Sequence, residues 1–328
     1  MNSFQSYLVR VGGLTLSPQQ ARDITCSHKK NGSSSASVFE VHFIAKCGPS
    51  EQLRTEVAVY TRLAKKLGKK AKTIFPRFSF IVGEEPSVSM LLMEPIHGST
   101  LEHEILTLGS LVAEYGPRDS KIAKKQECIA AIVKKTLELA ALLHNPIAGP
   151  SALKEFVKEL HEALANNLKI SRLPSITPPK AWIVGNTWGG CITSMAHRDL
   201  SAVNILGTPD NVKLIDPREA VPGATRGAPF ASPSIDLIEL DVSLERKEME
   251  MQVLAGARIP LKARRLVKQK IIELKRRGEI NQTLIDLCYA AVYSSYTACR
   301  CDYCLSPERQ WLYEAMIQKA SNYSRQVR

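Results

Sequence analysis

Residues 197–206 read His197-Arg198-Asp199-Leu200-Ser201-Ala202-Val203-Asn204-Ile205-Leu206, and residues 212–216 read Val212-Lys213-Leu214-Ile215-Asp216. The five residues between them, Gly207-Thr208-Pro209-Asp210-Asn211, are typical of a tight turn. The two apolar runs therefore predict a short antiparallel hairpin. In such a hairpin the start of one arm faces the end of the other, which would bring Asn204 and Asp216 to about 5 Å from each other.

The polar residues around this hairpin suit phosphoryl transfer. Asn204 and Asp216 both offer oxygen ligands, which Mg²⁺ prefers. Asp199 precedes the hairpin, where its carboxylate can accept a proton from a substrate hydroxyl. Phosphoryl transfer needs a metal to neutralise phosphate charge and a carboxylate to orient the nucleophile. We therefore predict Asp199 as the catalytic residue and Asn204 and Asp216 as metal ligands; the alternative is an ordinary polar loop before a hairpin.

The spacing His-x-Asp-x-x-x-x-Asn, followed by a strand that ends in Asp, matches the kinase catalytic-loop signature. The chain resembles the aminoglycoside phosphotransferase and choline-kinase-like branch of the protein-kinase fold. Asp216-Pro217-Arg218 resembles the Ile-Asp-Pro-Arg variant of that branch, and Leu142-Leu143-His144 resembles the end of its long helix. Residues 91–98 resemble its hinge, and residues 233–237 resemble a downstream motif whose Asp supports the catalytic loop. The resemblance covers roughly residues 30–240.

This resemblance implies an α+β bilobal kinase-like fold, with a small β-rich nucleotide-binding lobe at residues 1–95 and a helical lobe at residues 96–328 that holds the catalytic loop and acceptor site. It implies an ATP- and Mg²⁺-dependent enzyme that moves the γ-phosphoryl group to a hydroxyl of a small molecule. It also implies that His197 and Asp236 support the catalytic loop.

The pattern departs from that branch in ways that keep other functions open. Arg198 stands where small-molecule kinases usually have Gly, which favours a protein kinase. Ser201 replaces the protein-kinase Lys, and no Ala-Pro-Glu motif follows, which disfavours one. No Gly-x-Gly-x-x-Gly precedes the first strand. A kinase-like protein that binds RNA is a third, non-enzymatic hypothesis.

Two residues near the N-terminus are candidates for binding the nucleotide phosphates. Lys46 falls late in a strand predicted over residues 37–47, and Glu56 falls in a helix predicted over residues 52–67. A strand lysine of this kind contacts the α- and β-phosphates, and a helical glutamate holds it by an ion pair. The alternatives are a solvated lysine at a strand end for Lys46, and Glu51 in place of Glu56.

Other nucleotide contacts are predicted from backbone groups. Ser33 and Ser34 lie in a small-residue turn that either cradles phosphates or is a surface turn. By the resemblance, Met93, Glu94 and Ile96 supply backbone hydrogen bonds to adenine.

Charge bears on the choice of acceptor and partner. The 328 residues carry a net charge of +12, and residues 244–328 carry 16 Lys and Arg against 9 Asp and Glu, which is +7. A cationic aminoglycoside would need opposing carboxylates, so we expect a neutral or anionic acceptor. The basic run Lys262–Arg277 is either a solvated helix face or a face for nucleic acid, which is the less favoured partner.

No uninterrupted apolar stretch is long enough to span a membrane, and no signal peptide is evident, so we expect a cytoplasmic protein without a membrane partner. The sequence gives no indication of oligomeric state. The four cysteines near the C-terminus are expected to be free thiols, with structural zinc as the alternative because one pair has Cys-x₂-Cys spacing. They are Cys288, Cys299, Cys301 and Cys304.

Overall fold

The computed structural model divides into two compact units, residues 1–97 and residues 98–328. It describes residues 26–29, 38–41, 44–82, 88–94, 96–144, 146–148, 150–171, 190–256, 259–298 and 310–326. The predicted phosphate turn with Ser33 and Ser34 lies outside the described residues. So do three of the four clustered cysteines, Cys299, Cys301 and Cys304.

Unit 1 holds small antiparallel sheets and an amphipathic helix. Its elements in chain order are β1 (Cys26–Lys29), β2 (Val38–Val41), β3 (Ile44–Pro49), α1 (Ser50–Leu67), α2 (Ala71–Ile74), β4 (Phe78–Val82) and β5 (Val88–Met93). β1 pairs with β2, and β5 pairs with both β3 and β4. The apolar face of α1 is buried, with the Tyr60 ring 5.5 Å from Phe75 and 4.8 Å from Phe78, because its apolar residues recur at helical spacing.

The prediction of a single strand over residues 37–47 is wrong. Residues 38–41 and residues 44–49 form separate strands that belong to different sheets. An alternating pattern indicates extended backbone, but it does not identify the partner strand or the point where pairing changes. The sequence pattern also predicts strands at residues 78–82 and 88–93, and both are confirmed.

Unit 2 is predominantly helical. Its elements in chain order are β6 (Ser99–Thr100), α3 (Leu101–Tyr115), α4 (Ser120–Leu143), β7 (Pro146–Ala148), α5 (Pro150–Ile170), β8 (Thr193–Ser194), β9 (Ile205–Thr208), β10 (Asn211–Leu214), α6 (Ser234–Ala255), α7 (Lys262–Arg276), α8 (Gln282–Ala298) and α9 (Gln310–Gln326). Helix α8 packs against α5, α6 and α9, and α4 packs against α3 and α7. Helix α4 also packs against β9 and β10.

The predicted hairpin is confirmed, and it is joined by a third strand. β9 pairs with β10, with Ile205 opposite Leu214, and β6 pairs with the outer edge of β9. Gly207 has φ 126°, and a Cβ there would lie 1.9 Å from the Asn211 carbonyl oxygen. A Cβ on Gly98 would lie 2.5 Å from the Gly207 carbonyl carbon. Only glycine therefore permits this turn and the close approach of the two chains.

The basic run on α7 is partly neutralised within unit 2. Arg264 is buried and forms ion pairs with Asp241, Glu245 and Glu248 on α6. Lys262 pairs with Glu127 on α4. Arg264 thus belongs to the packed side of α7, not to a basic surface. In the described part of the chain, no helix is both long enough and apolar enough to cross a membrane.

Candidate active site

The three predicted catalytic and metal-binding residues meet at the start of the hairpin. The Ile215 amide donates to the Asn204 carbonyl at 2.9 Å, which places Asp216 beside Asn204. The Asn204 side-chain nitrogen donates to the Asp199 carbonyl at 2.9 Å. This bond closes the loop between Asp199 and Asn204, so both ends of the signature are held in one arrangement.

The side chains at the hairpin fit a magnesium ion. Because Asn204 uses its amide nitrogen on the Asp199 carbonyl, its amide oxygen is the group left to ligate. Asp216 supplies a half-buried carboxylate next to it. Two oxygen donors from the protein, completed by water and phosphate oxygens, are typical of Mg²⁺ bound with a nucleotide.

Asp236, at the start of α6, supports the catalytic loop from within the core. Its fully buried carboxylate accepts hydrogen bonds from the His197 amide at 2.9 Å and the Arg198 amide at 2.7 Å. It also lies 3.0 Å from His144 Nε2. Burial works to raise the pKa of Asp236, but the bond and charge of His144, together with His197, outweigh it and lower that pKa. The charged carboxylate therefore fixes the backbone just before Asp199.

Two residues of this site have left-handed backbone. Arg198 has φ 63° and Asp216 has φ 55°, conformations that cost non-glycine residues free energy. The Arg198 turn is held by Asp236 on one side, and the Arg218 amide donates to the His197 carbonyl at 2.9 Å on the other. Strain of this kind persists only where surrounding contacts fix the backbone, and it clusters at functional sites.

Arg198 is buried, and it holds the segment that follows Asp216. Its guanidinium donates to the carbonyls of Glu219 and Ala228. It also pairs with Glu159 of α5, with Nη2 3.6 Å from Oε2. Glu159 in turn accepts the amides of Val221 and Ala228, each at 2.7 Å. Burial raises the pKa of Glu159, against the lowering influence of Arg198 and the two amides.

Arg218 contacts the predicted catalytic carboxylate directly. Its Nε donates to Asp199 Oδ2 at 2.6 Å, and its side chain is 53% exposed while that of Asp199 is 13% exposed. The sequence placed Arg218 in a motif but assigned it no role. The sequence does not show that these two residues pair, because they are 19 positions apart and each has other residues of opposite charge nearby in the chain.

Glu239 is a second acidic group close to Asp199 that sequence reasoning missed. It lies on α6 and is only 3% exposed, and it accepts a hydrogen bond from the Tyr296 hydroxyl at 2.9 Å. Burial and then the charge of Asp199 raise its pKa to about 8. The only sequence signal was a glutamate between the apolar residues Ile238 and Leu240, in a stretch of helix that also carries Asp236 and Asp241. That pattern is a weak guide, because several acids of α6 are buried for structural reasons.

Replacing Asp236 with asparagine is expected to lower the free energy of unfolding by about 2–5 kcal/mol. An amide cannot accept from both loop amides and His144, so a buried donor loses its partner. Urea unfolding of the variant beside Asp210→Asn, an exposed acid of the hairpin turn, measures the effect. Equal losses in the two variants would mean that Asp236 does not support the loop.

Replacing Glu239 with glutamine is expected to change how stability depends on pH. The folded pKa near 8 exceeds the usual 4.5, so the folded state keeps a proton that the unfolded chain releases between those values. The contribution of this proton to the free energy of unfolding is fully present below pH 4.5 and is lost as the pH rises through 8. Glutamine has no proton to lose, so the variant should exceed the wild type by about 1–4 kcal/mol at pH 8.5 and match it near pH 5. The measurement is urea unfolding of both proteins across this pH range. If their free energies of unfolding changed with pH in parallel, Glu239 would have an ordinary pKa.

The residues predicted to bind the nucleotide lie in unit 1, and their roles stay predictions. Lys46 is on β3, where it lies opposite Leu91 of the paired strand β5. Glu56 is half-buried on α1. Met93 ends β5 in the core, and Ile96 is half-buried.

Glu94 has a structural role in unit 1. Its amide donates to the Arg77 carbonyl at 2.9 Å, and its carboxylate pairs with Arg77 Nε at 2.7 Å. The predicted contact of its backbone with adenine stays a prediction.

Cys288 is a packed thiol in the core of unit 2. Its Sγ lies 3.3 Å from the Ser234 hydroxyl, and burial raises its pKa to about 12. A zinc ligand must be a thiolate, so this environment favours the free-thiol interpretation for Cys288. Within the described ranges, no three His, Cys, Asp or Glu residues converge as a metal site.

The chain matches no protein-family model and no curated protein. Among solved structures it is similar to a glucosamine kinase in complex with glucosamine, ADP and inorganic phosphate. The identity is 12%, the TM-score is 0.45, and the match covers 98% of this chain and 80% of that one. It is also similar to the ADP-bound aminoglycoside phosphotransferase APH(2'')-Ib, at 12% identity and a TM-score of 0.39, over 99% of both chains. Both are small-molecule kinases, but similarities at these TM-scores carry no argument about activity.

Proposed function

We propose that this chain transfers the γ-phosphoryl group of ATP to a hydroxyl of a small molecule in a Mg²⁺-dependent reaction. The observation that carries the proposal is the convergence of Asp199, Asn204 and Asp216, joined through the Asn204 side chain and the Ile215 amide. A polar loop without a function would have no reason to hold two left-handed residues, Arg198 and Asp216, around these side chains.

Asp199 performs the central step. Its carboxylate accepts a hydrogen bond from the acceptor hydroxyl and takes the proton as the oxygen attacks the γ-phosphorus. A new phosphorus–oxygen bond forms, the bond to the bridging oxygen of the β-phosphate breaks, and ADP leaves. Asn204 and Asp216 would hold Mg²⁺, which neutralises phosphate charge when bound. Lys46 and Glu56 are proposed to bind and orient the phosphates, and Met93, Glu94 and Ile96 are proposed to bind adenine.

The environment of Arg198 favours a small-molecule kinase over a phosphorylation-controlled protein kinase. A protein kinase of that type orders its activation segment when a phosphate pairs with arginine. Here Arg198 is 4% exposed, and Glu159 already supplies the opposing charge. Glu159 also accepts hydrogen bonds from the backbone amides of Val221 and Ala228, in the segment that follows Asp216. Arg198 and Glu159 therefore hold this segment in place without a phosphate group.

The test is ADP release and phosphate transfer from γ-labelled Mg-ATP, with a small-metabolite pool, a protein pool and RNA in parallel. The expected result is label in the metabolite fraction alone. Label on protein would favour a protein kinase, and RNA binding without ADP release would favour a binding scaffold. Omitting Mg²⁺ should abolish the transfer.

A further inference from the structure

The Arg218 guanidinium is anchored at one edge and open at the other. Its Nε donates to Asp199 Oδ2, and its backbone amide donates to the His197 carbonyl. Within the described part of the chain, neither Nη1 nor Nη2 donates a hydrogen bond to a protein group. The side chain is 53% exposed, so this open edge faces solvent next to the catalytic carboxylate.

The open edge has the geometry of an anion receptor. A guanidinium is planar and always charged, and its two terminal nitrogens match the spacing of two oxygens on a carboxylate or phosphate. The bond from Nε to Asp199 and the bond from the Arg218 backbone amide to the His197 carbonyl hold the side chain in place. Arg218 is therefore better oriented than a free surface arginine, which would spend rotamer entropy on binding.

The local charges leave Arg218 available for an added anion. Glu239, a further acid near Asp199 besides Asp216 and Asp236, is largely protonated at neutral pH because burial and Asp199 raise its pKa to about 8. Asp199 is then the carboxylate that faces Arg218, and it engages Nε alone. An anion on the acceptor would contact the remaining nitrogens while its hydroxyl contacts Asp199.

We propose that Arg218 recognises a carboxylate or phosphate of the acceptor, a few bonds from the hydroxyl that Asp199 deprotonates. The acceptor is then a hydroxy acid or a phosphorylated alcohol. This inference rests on the proposed function and makes Arg218 the residue that determines specificity within it.

Matched acceptors test the inference. Short hydroxy acids are compared with their primary amides, and sugar phosphates with the corresponding free sugars, by measuring kcat and KM for each. The wild type should prefer the charged member of the productive pair by about 10- to 100-fold in kcat/KM, the range for a hydrogen-bonded charge pair. Which pair is productive identifies carboxylate or phosphate as the recognised group.

Arg218→Gln should reduce this preference to within about threefold, mainly through a higher KM for the charged acceptor. Turnover of the neutral acceptor should also change, because Arg218 contacts Asp199, so the readout is the ratio of kcat/KM between the charged and the neutral acceptor. Arg218→Lys should restore part of the preference, because lysine keeps the charge but loses the planar fork. Arg226→Gln is the matched control: this exposed arginine lies in the same segment, and its loss should leave the preference intact.

Equal treatment of charged and neutral acceptors by the wild type would overturn the inference and leave the phosphotransferase intact. So would an Arg218→Gln variant that slows both acceptor classes by the same factor and keeps the wild-type preference, because Arg218 would then act only on Asp199 or on the transferred phosphoryl group. A wild type that phosphorylates no acceptor, and that Asp199→Ala does not alter, would overturn the proposed function and this inference with it.

Discussion

Asp199→Ala should lower turnover by about 10²- to 10⁴-fold, the range for loss of a general base, while Mg-ATP binding stays within about twofold. Asp199 lies on the loop before the hairpin, and its side chain contacts Arg218, not Asn204 or Asp216. Its contact with the metal-binding pair runs through its backbone carbonyl, which alanine keeps. The variant should therefore retain the nucleotide site while losing the group that accepts the hydroxyl proton.

The measurements are kcat with the best acceptor and the dissociation constant for Mg-ATP by calorimetry. Asp210→Ala is the control, because Asp210 is an exposed acid in the turn of the same hairpin. Near-wild-type turnover by Asp199→Ala would remove Asp199 from catalysis. A parallel loss of Mg-ATP binding would show that Asp199 addresses the nucleotide instead.

Asp216→Asn should raise the Mg²⁺ concentration for half-maximal activity by about 10- to 100-fold, since loss of even an indirect metal contact costs that much. Asparagine tolerates the φ of 55° at this position, so the backbone should not change. It keeps one oxygen but loses the negative charge that attracts Mg²⁺. The effect should therefore appear in metal binding before it appears in stability.

A Mg²⁺ titration at fixed ATP gives the value, with Asp210→Asn as the charge-matched control two residues beyond β9. Thermal unfolding of both variants separates metal binding from folding. An unchanged Mg²⁺ requirement in Asp216→Asn would mean that the hairpin does not hold the metal.

Local pattern predicted the parts of unit 2 whose geometry depends on near neighbours. Turn residues at positions 207–211 fixed the hairpin. Apolar residues at helical spacing predict helices over residues 121–144 and 152–168, which agree with α4 and α5 to within about two residues. Antiparallel pairing then required Asn204 and Asp216 to be adjacent, as the Ile215 bond shows. The same local signals failed at residues 37–47, where two strands of different sheets share one alternating pattern.

The sequence by itself determined the hairpin, its flanking polar residues and the identity of the atoms available for chemistry. Short-range backbone bonding suffices for these features. Only the tertiary structure decided which polar side chains meet: Arg198 with Glu159, Arg218 with Asp199, and Asp236 with His144. These partners are 19 to 92 positions apart, and each charge had other possible partners in the sequence. Packing of α5 and α6 around the catalytic loop selects among them, because a buried charge is stable only beside the partner that the fold brings to it.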